Sequence, residues 1–159
     1  MKKITLNTLA GIFLAFTMLS GAAVANDYYG KQKVVYHINY DDAKRQGGAL
    51  RNIQNHINAV GKENLDLKVV MHGNGVSLLL DPEALPDTKM KAANSTPEQQ
   101  TKVSNLKDQG VSFSICANTL KGKKVDLADL FDAKESDVVP SGVAELSKLQ
   151  MEGYTYIRP

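Results

Sequence analysis

The sequence predicts an α/β fold in three layers, with helices covering both faces of a mostly parallel five-stranded sheet. Three apolar runs rich in β-branched residues, at 33–39, 65–72 and 111–116, are typical of buried strands. Segments with helical spacing of apolar residues separate these runs, and each is long enough for the crossover that parallel strands require. Strands that alternate with helices in this way favour one sheet in one domain.

The first strand, KVVYHIN at 33–39, precedes a helix whose start and end are both marked. Asp41 and Asp42 offer an N-cap and negative charge at the positive end of the helix dipole. Apolar residues then recur at spacings of three and four, and Gly61 predicts the end. The apolar residues of this helix are Leu50, Ile53, Ile57 and Val60.

The second strand, LDLKVVMH at 65–72, passes from alternation into a continuous apolar run, as strands covered on both faces do. A short helix is predicted from Val76. Residues 81–96 contain two prolines and no periodicity, so we expect a polar loop that acts as a mobile flap gating the site. Thr96 precedes a proline and stands three residues before a glutamine, which predicts a helix that ends at Gly110.

The third strand, VSFSIC at 111–116, alternates so that its serines and Cys116 share one face. Helical turns are predicted at ANTLK and DLADLF, and SDVV predicts a short fourth strand. Pro140 and Ser141 predict the start of a helix that ends at Gly153. YTYI is the fifth strand.

The first 25 residues have the three parts of a secretory signal peptide: Lys2 and Lys3, an uncharged stretch, and small residues ending at Ala25. They resemble bacterial export signals, so we expect cleavage after Ala25, no stable membrane insertion afterwards, and a protein of the periplasm of a Gram-negative cell. Without this segment the 19 Lys and Arg residues fall to 17, against 17 Asp and Glu. A neutral domain without a basic stripe does not indicate nucleic-acid binding.

Reactive side chains stand at or near the ends of the first three predicted strands, namely His37, His72 and Cys116. The carboxyl ends of parallel strands meet at the edge of the sheet where ligands bind, so we expect a pocket there. Asn74 and Asn118, which follow the second and third strands, are further candidates for its lining. Cys116 precedes a helical turn whose N–H groups favour a thiolate, and a nearby imidazolium would act in the same direction.

Other interpretations of these residues stay open. Cys116 is the only cysteine, which permits no internal disulfide, and it could instead be a small buried apolar residue. No C-x-x-C or H-x-x-x-H pair supports a metal centre, so neither a metal nor a cofactor is predicted. Nothing selects the orienting partner that a Cys–His hydrolase requires. The GNG turn at 73–75 lacks the third glycine of a dinucleotide fingerprint, although the helix start after it could hold a small anion.

Five stretches, taken in order, carry a resemblance to a known family: KVVYHINYDD, LRNIQNHINAVG, LDLKVVMHGNGVSLLL, GVSFSICANTLKG and VVPSGVAELSKLQMEGYTYIRP. In these the chain resembles the DsrE/DsrF-like family, also called YchN-like, and particularly its exported single-domain members. The resemblance runs from about Lys33 to Pro159. It identifies residues 26–159 as a single domain of this kind.

The resemblance implies a three-layer α/β fold that assembles as a homotrimer or a homohexamer. In sulfur-relay members of the family, a cysteine just after the third strand accepts a persulfide sulfur and passes it to a partner protein, and Cys116 occupies the matching position. The family's histidines vary, so the resemblance assigns no role to His37 and His72. They are candidates only because they stand at or near the ends of strands. Relay members work in the cytosol, and an export signal places their donors and acceptors out of reach.

Two functions are therefore predicted. In the first, the chain is a periplasmic sulfur carrier, at most a sulfurtransferase-like enzyme, with a persulfide on Cys116 and with a sulfur donor and acceptor that the sequence does not define. In the second, it is a non-enzymatic oligomeric binding module. The carboxyl edge of the sheet would then bind a small anion, a thiol or a metal, and the cysteine would be mainly structural.

Overall fold

The computed structural model describes residues 28–159, so the predicted signal peptide and its cleavage site lie outside the described residues. The strands are β1 (Gln32–Ile38), β2 (Leu65–Met71), β3 (Ser112–Cys116), β4 (Val138–Val139) and β5 (Thr155–Ile157). The α-helices are α1 (Ala43–Val60), α2 (Pro97–Asp108), α3 (Ala117–Lys123) and α4 (Gly142–Met151). The strands form one parallel five-stranded sheet in the order β4-β3-β2-β1-β5. The predicted α/β fold is confirmed.

Side-chain caps fix where three of the helices begin. The Asp42 carboxylate accepts a hydrogen bond from the backbone N–H of Arg45 at 2.7 Å, at the start of α1. Thr96 caps α2, which begins with a proline, and Ser141 caps α4 through the backbone N–H of Ala144. These are the starts that the sequence predicts, because the capping residues and the proline act locally.

The sheet carries a hydrophobic core on each face, since alternate residues of a strand point in opposite directions. The larger core joins Val34, Tyr36 and Ile38 of β1 to apolar residues of α1 and α2. The smaller core lies under α4 and consists of Val35, Val70, Leu146, Leu149 and Tyr154. The helix α4 also lines a pocket beside His37 and His72, at the carboxyl ends of the first two strands.

The turn after β2 differs from the predicted short helix and is a 3₁₀ helix, Gly73–Leu78. A Cβ atom placed on Gly75 would lie 2.0 Å from the carbonyl oxygen of Ile38. The glycine therefore permits the turn to approach the end of β1 more closely than any side chain would allow. The turn therefore packs directly on the end of β1, where Ile38 pairs with Met71 of β2.

The prediction that residues 81–96 gate the site is wrong. The segment contains a 3₁₀ helix, Pro82–Asp87, and is tied down at Asn94. The Asn94 amide donates hydrogen bonds to the carbonyl of Asp41 and to the side chain of Gln46, both at 2.8 Å. None of its residues lines the pocket beside the only cysteine, so it does not gate that pocket.

Among the described residues, no helix is long and apolar enough to cross a membrane.

Candidate functional site

Cys116 lies at the carboxyl edge of the sheet, as the last residue of β3 and the residue that caps α3. It pairs with Val139 of β4, and only 5% of its surface is exposed. His37 lies near the end of β1, and His72 follows β2 directly. The fold therefore brings the three predicted reactive side chains to one edge, because parallel strands end on the same side.

Hydrogen bonds set the ionisation of the Cys116 thiol. Burial raises its pKa, but the backbone N–H of Gly142, the hydroxyl and N–H of Thr119 and the N–H of Asn118 lower it by more. The net pKa is lower than that of an ordinary cysteine. These N–H groups belong to the first turns of α3 and α4, so the starts of two helices converge on one sulfur.

Thr119 connects this sulfur to the turn after β2. Its Oγ1 accepts a hydrogen bond from the backbone N–H of Gly73 at 2.8 Å, which leaves its own hydroxyl proton for Cys116. The residue is buried. Thr119 is not among the predicted site residues, although a threonine three residues after a cysteine that caps a helix was the available signal.

Gly142 is the second residue of the site that was not predicted. A Cβ atom on it would lie 2.9 Å from the Cβ of His72 and 3.2 Å from the Cβ of Cys116. Only a residue without a side chain therefore lets the start of α4 reach the thiol. The signal in the sequence was a glycine directly after Ser141, the cap of that helix.

The two histidines face each other beside the cysteine. His37 Nε2 lies 2.8 Å from His72 Nε2, and the rings are stacked with centroids 4.7 Å apart. His37 Nδ1 lies 2.6 Å from the hydroxyl of Tyr156. Tyr156 comes from β5, which pairs with β1. This contact could not be predicted, because strand order is not readable from the sequence.

The pKa values of both histidines are lowered, so neither favours the imidazolium that would help to ionise Cys116. Burial, then the charges of His72 and Arg158, lower the pKa of His37 to about 4. Burial, then Arg158, lower the pKa of His72. The lowered pKa of Cys116 therefore comes from hydrogen bonds and not from a charged histidine.

His72 separates two pockets. One, of about 400 Å³, is lined by Cys116, Asn118, Thr119, Lys123 and Ser141, among others. The other, of about 630 Å³, lies between the histidine pair, Tyr156 and α4. Asn118 thus lies where expected, whereas Asn74 lines neither pocket because the turn presents Gly73 instead.

The chemistry available here is that of an activated thiol with a pair of neutral imidazoles beside it. Lys123 is the only lining residue of the cysteine pocket with a formal charge at neutral pH. No group of three or more His, Cys, Asp and Glu side chains within residues 28–159 is placed to hold a metal ion. The third histidine, His56, lies apart and bonds to Tyr36 and Gln32.

Comparisons with known proteins agree with this fold. The model of the DsrE/DsrF-like family matches residues 32–159, which confirms the resemblance. A structure of a protein of unknown function from Methanobacterium thermoautotrophicum, MTH1491, is 33% identical, with a TM-score of 0.64 over 81% of this chain and 100% of that chain. The ychN protein from E. coli is 16% identical, with a TM-score of 0.56 over 82% of this chain and 99% of that one, and shares the fold. No curated protein matches the chain.

Proposed function

The chain belongs to the DsrE/DsrF-like family, and from this membership we propose that it is a sulfur carrier that holds a persulfide on Cys116. The observation that carries the proposal is the set of hydrogen bonds at the thiol. Donors from Gly142, Thr119 and Asn118 lower its pKa although it is buried. A thiolate is the nucleophile in sulfur exchange, so the fraction of thiolate sets the rate of loading.

Loading follows ordinary thiolate–disulfide chemistry. The Cys116 thiolate attacks the outer sulfur of a donor persulfide, R–S–S–H. A sulfur–sulfur bond forms at Cys116, the donor's sulfur–sulfur bond breaks, and the donor leaves as the thiolate R–S⁻. Atoms and charge balance without an external oxidant. The same N–H groups then stabilise the negative charge of the bound persulfide.

The pocket favours a small donor. It measures about 400 Å³, and Cys116 is only 5% exposed, so a bulky group cannot lie directly against the sulfur. Lys123 gives the lining a single positive charge, and no carboxylate contributes to it. We therefore propose an anionic, low-molecular-weight sulfane-sulfur donor, or a donor that presents its sulfur on an extended arm.

Location and assembly are part of the same proposal. We propose that the predicted export signal directs the carrier to the periplasm, where an unused thiol is open to oxidation unless it is protected by burial. We propose a homotrimer or homohexamer, as the family resemblance implies. Exposed apolar residues of α4 support self-association, since Val143 is 65% and Met151 is 86% exposed.

The test is loading of the purified protein with a small persulfide donor, followed by measurement of the sulfur released on treatment with cyanide. The native protein should gain labile sulfur, and Cys116→Ser should gain none while keeping its urea midpoint. His56→Gln is the matched control, because His56 touches neither pocket, and it should load like the native protein. Equal loading of Cys116→Ser would refute the proposal.

The alternative is a non-enzymatic binding module in which the cysteine is structural, and the low exposure of Cys116 favours it. Reaction with a small thiol reagent separates the two functions. A carrier reacts in the folded state, and its reactivity rises with pH through the lowered pKa of Cys116. A structural cysteine reacts only after denaturation, and the binding module would then be the better account.

A further inference from the structure

We propose that His72, His37 and Tyr156 form a proton relay, in which His72 is the catalytic base that takes the proton of an acceptor thiol. The proposal rests on the proposed function, because it concerns how Cys116 gives up its sulfur. The three side chains are joined in series. The hydroxyl of Tyr156 lies 2.6 Å from His37 Nδ1, and His37 Nε2 lies 2.8 Å from His72 Nε2.

His72 is the member of this series that lies beside the cysteine. It lines both pockets, whereas His37 and Tyr156 line only the second one, between the histidine pair and α4. A Cβ atom on Gly142 would lie 3.4 Å from His72 Cδ2 and 3.2 Å from the Cβ of Cys116. His72 Nε2 is engaged with His37, and its Nδ1 has no hydrogen-bond partner in the described part of the chain. Nδ1 is therefore the nitrogen available to a reactant in the cysteine pocket.

The protons of the relay can be arranged in two ways, because one Nε2 carries the proton that lies between the rings. With that proton on His72, its Nδ1 is free to accept another, and His37 donates Nδ1–H to the hydroxyl oxygen of Tyr156. With that proton on His37, Tyr156 donates to His37 Nδ1, and His72 carries a proton on its own Nδ1. The first arrangement takes a proton from the cysteine pocket, and the second gives one.

Burial and charge suit the pair to passing a proton on. Burial, then His72 and Arg158, lower the pKa of His37 to about 4, and burial, then Arg158, lower the pKa of His72. An imidazolium is therefore unfavourable in either ring, so a proton that reaches His72 moves along the series to Tyr156. Tyr156 is 40% exposed, and the second pocket, of about 630 Å³, has room for water that carries the proton away.

Unloading of sulfur uses the accepting arrangement. The acceptor R′–S–H gives its proton to His72 Nδ1, and its sulfur attacks the outer sulfur of the persulfide on Cys116. A bond forms in R′–S–S–H, the sulfur–sulfur bond at Cys116 breaks, and its electron pair stays on the Cys116 thiolate. His72 passes its Nε2 proton to His37, His37 passes its Nδ1 proton to Tyr156, and Tyr156 releases its own proton to water.

Loading returns the relay to its starting arrangement. The donor leaves Cys116 as R–S⁻, which takes the proton from His72 Nδ1, and the series refills from water at Tyr156. Over one cycle a donor persulfide and an acceptor thiol become a donor thiol and an acceptor persulfide. The cycle consumes no oxidant and no net proton, and neither ring has to turn over between the two steps.

The relay favours one class of acceptor, a small alkyl thiol that is protonated at neutral pH. Such a thiol needs a base in order to attack, whereas an aromatic thiol that is already ionised does not. The contrast between the two separates a catalytic His72 from a structural one. A structural defect slows unloading to both thiols, but the loss of a base slows only the protonated one.

The test loads each protein with a small persulfide donor, removes the donor, and follows the loss of cyanide-labile sulfur to 2-mercaptoethanol or to the aromatic thiolate thionitrobenzoate. His72→Gln should unload about a hundredfold more slowly to 2-mercaptoethanol and at the native rate to thionitrobenzoate. Its alkylation profile against pH should match the native one, because other residues donate the hydrogen bonds to Cys116. Tyr156→Phe should show the same selective loss at smaller size. His56→Gln is the matched control and should unload like the native protein.

Two results would overturn the relay while leaving the sulfur carrier intact. In one, His72→Gln loads sulfur and unloads to both thiols at native rates. In the other, both rates fall by the same factor. Should His72→Gln fail to fold, Tyr156→Phe decides alone, and an unchanged ratio of its two rates overturns the relay. Failure of the native protein to load sulfur would refute the proposed function itself, and the relay with it.

Discussion

Replacing Gly142 by alanine tests whether the start of α4 controls the reactivity of Cys116. The added Cβ would lie 2.9 Å from the Cβ of His72 and 3.2 Å from that of Cys116. Neither neighbour is the flexible end of a side chain, so the first turn of α4 must move. The backbone N–H of Gly142 then leaves the thiol, because it reaches the sulfur only through this close approach.

Two magnitudes follow from that movement. Overpacking of this kind costs about 1 to 3 kcal/mol of unfolding free energy. A hydrogen bond to a charged group is worth about 1.5 to 3 kcal/mol, and one pKa unit corresponds to about 1.4 kcal/mol. We therefore expect the pKa of Cys116 to rise in Gly142→Ala, because the thiolate loses a hydrogen bond of that strength.

The assay measures the rate of Cys116 alkylation against pH, together with urea unfolding. Gly122→Ala is the matched control, because Gly122 lines the same pocket and a Cβ on it would meet nothing within 4 Å. It should keep both the pKa and the stability of the native protein. An unchanged alkylation profile in a folded Gly142→Ala protein would refute the role of the α4 N–H.

Three further predictions concern Thr119 beside this thiol, the histidine His37, and the glycine Gly75 in the turn after β2. Thr119→Val removes a donor to Cys116 and should raise the thiol's pKa, whereas Thr119→Ser keeps the hydroxyl and should not; alkylation against pH reports both. His37 becomes protonated below pH 6.5 in the unfolded chain but only below about pH 4 in the folded chain. The free energy of unfolding should therefore decrease by about 3 kcal/mol as the pH falls from 6.5 to 4. Urea unfolding at several pH values measures this slope, and a His37→Gln protein with the same slope would contradict it. Gly75→Ala should lose about 3 kcal/mol or more, because its Cβ would lie 2.0 Å from the Ile38 carbonyl, and an unchanged urea midpoint would show that the turn can yield.

Local signals account for the parts of the fold that the sequence predicted. Asp42, Thr96 and Ser141 cap helices through bonds to their own next turn, so their effect is visible without the rest of the molecule. The edge with Cys116 was also predictable, since strands that all run parallel end on one side. No knowledge of strand order was required for either inference.

The contacts that complete the site depend on tertiary structure and could not be predicted in this way. Gly142 meets Cys116 because α4 starts beside the end of β3, and Tyr156 meets His37 because β5 adds to the far side of β1. The role of the segment at 81–96 was mispredicted because its contacts also depend on tertiary structure. Its composition is that of a loop, but Asn94 bonds to groups distant in sequence.

The most direct test of the sulfur-carrier account is the intact mass of the protein isolated from cells without reductant, before and after incubation with a sulfane-sulfur donor. The account predicts a gain of one or more sulfur atoms that a reductant removes and that Cys116→Ser does not show. An unmodified mass under both conditions, with Cys116 intact and the protein folded, would contradict it.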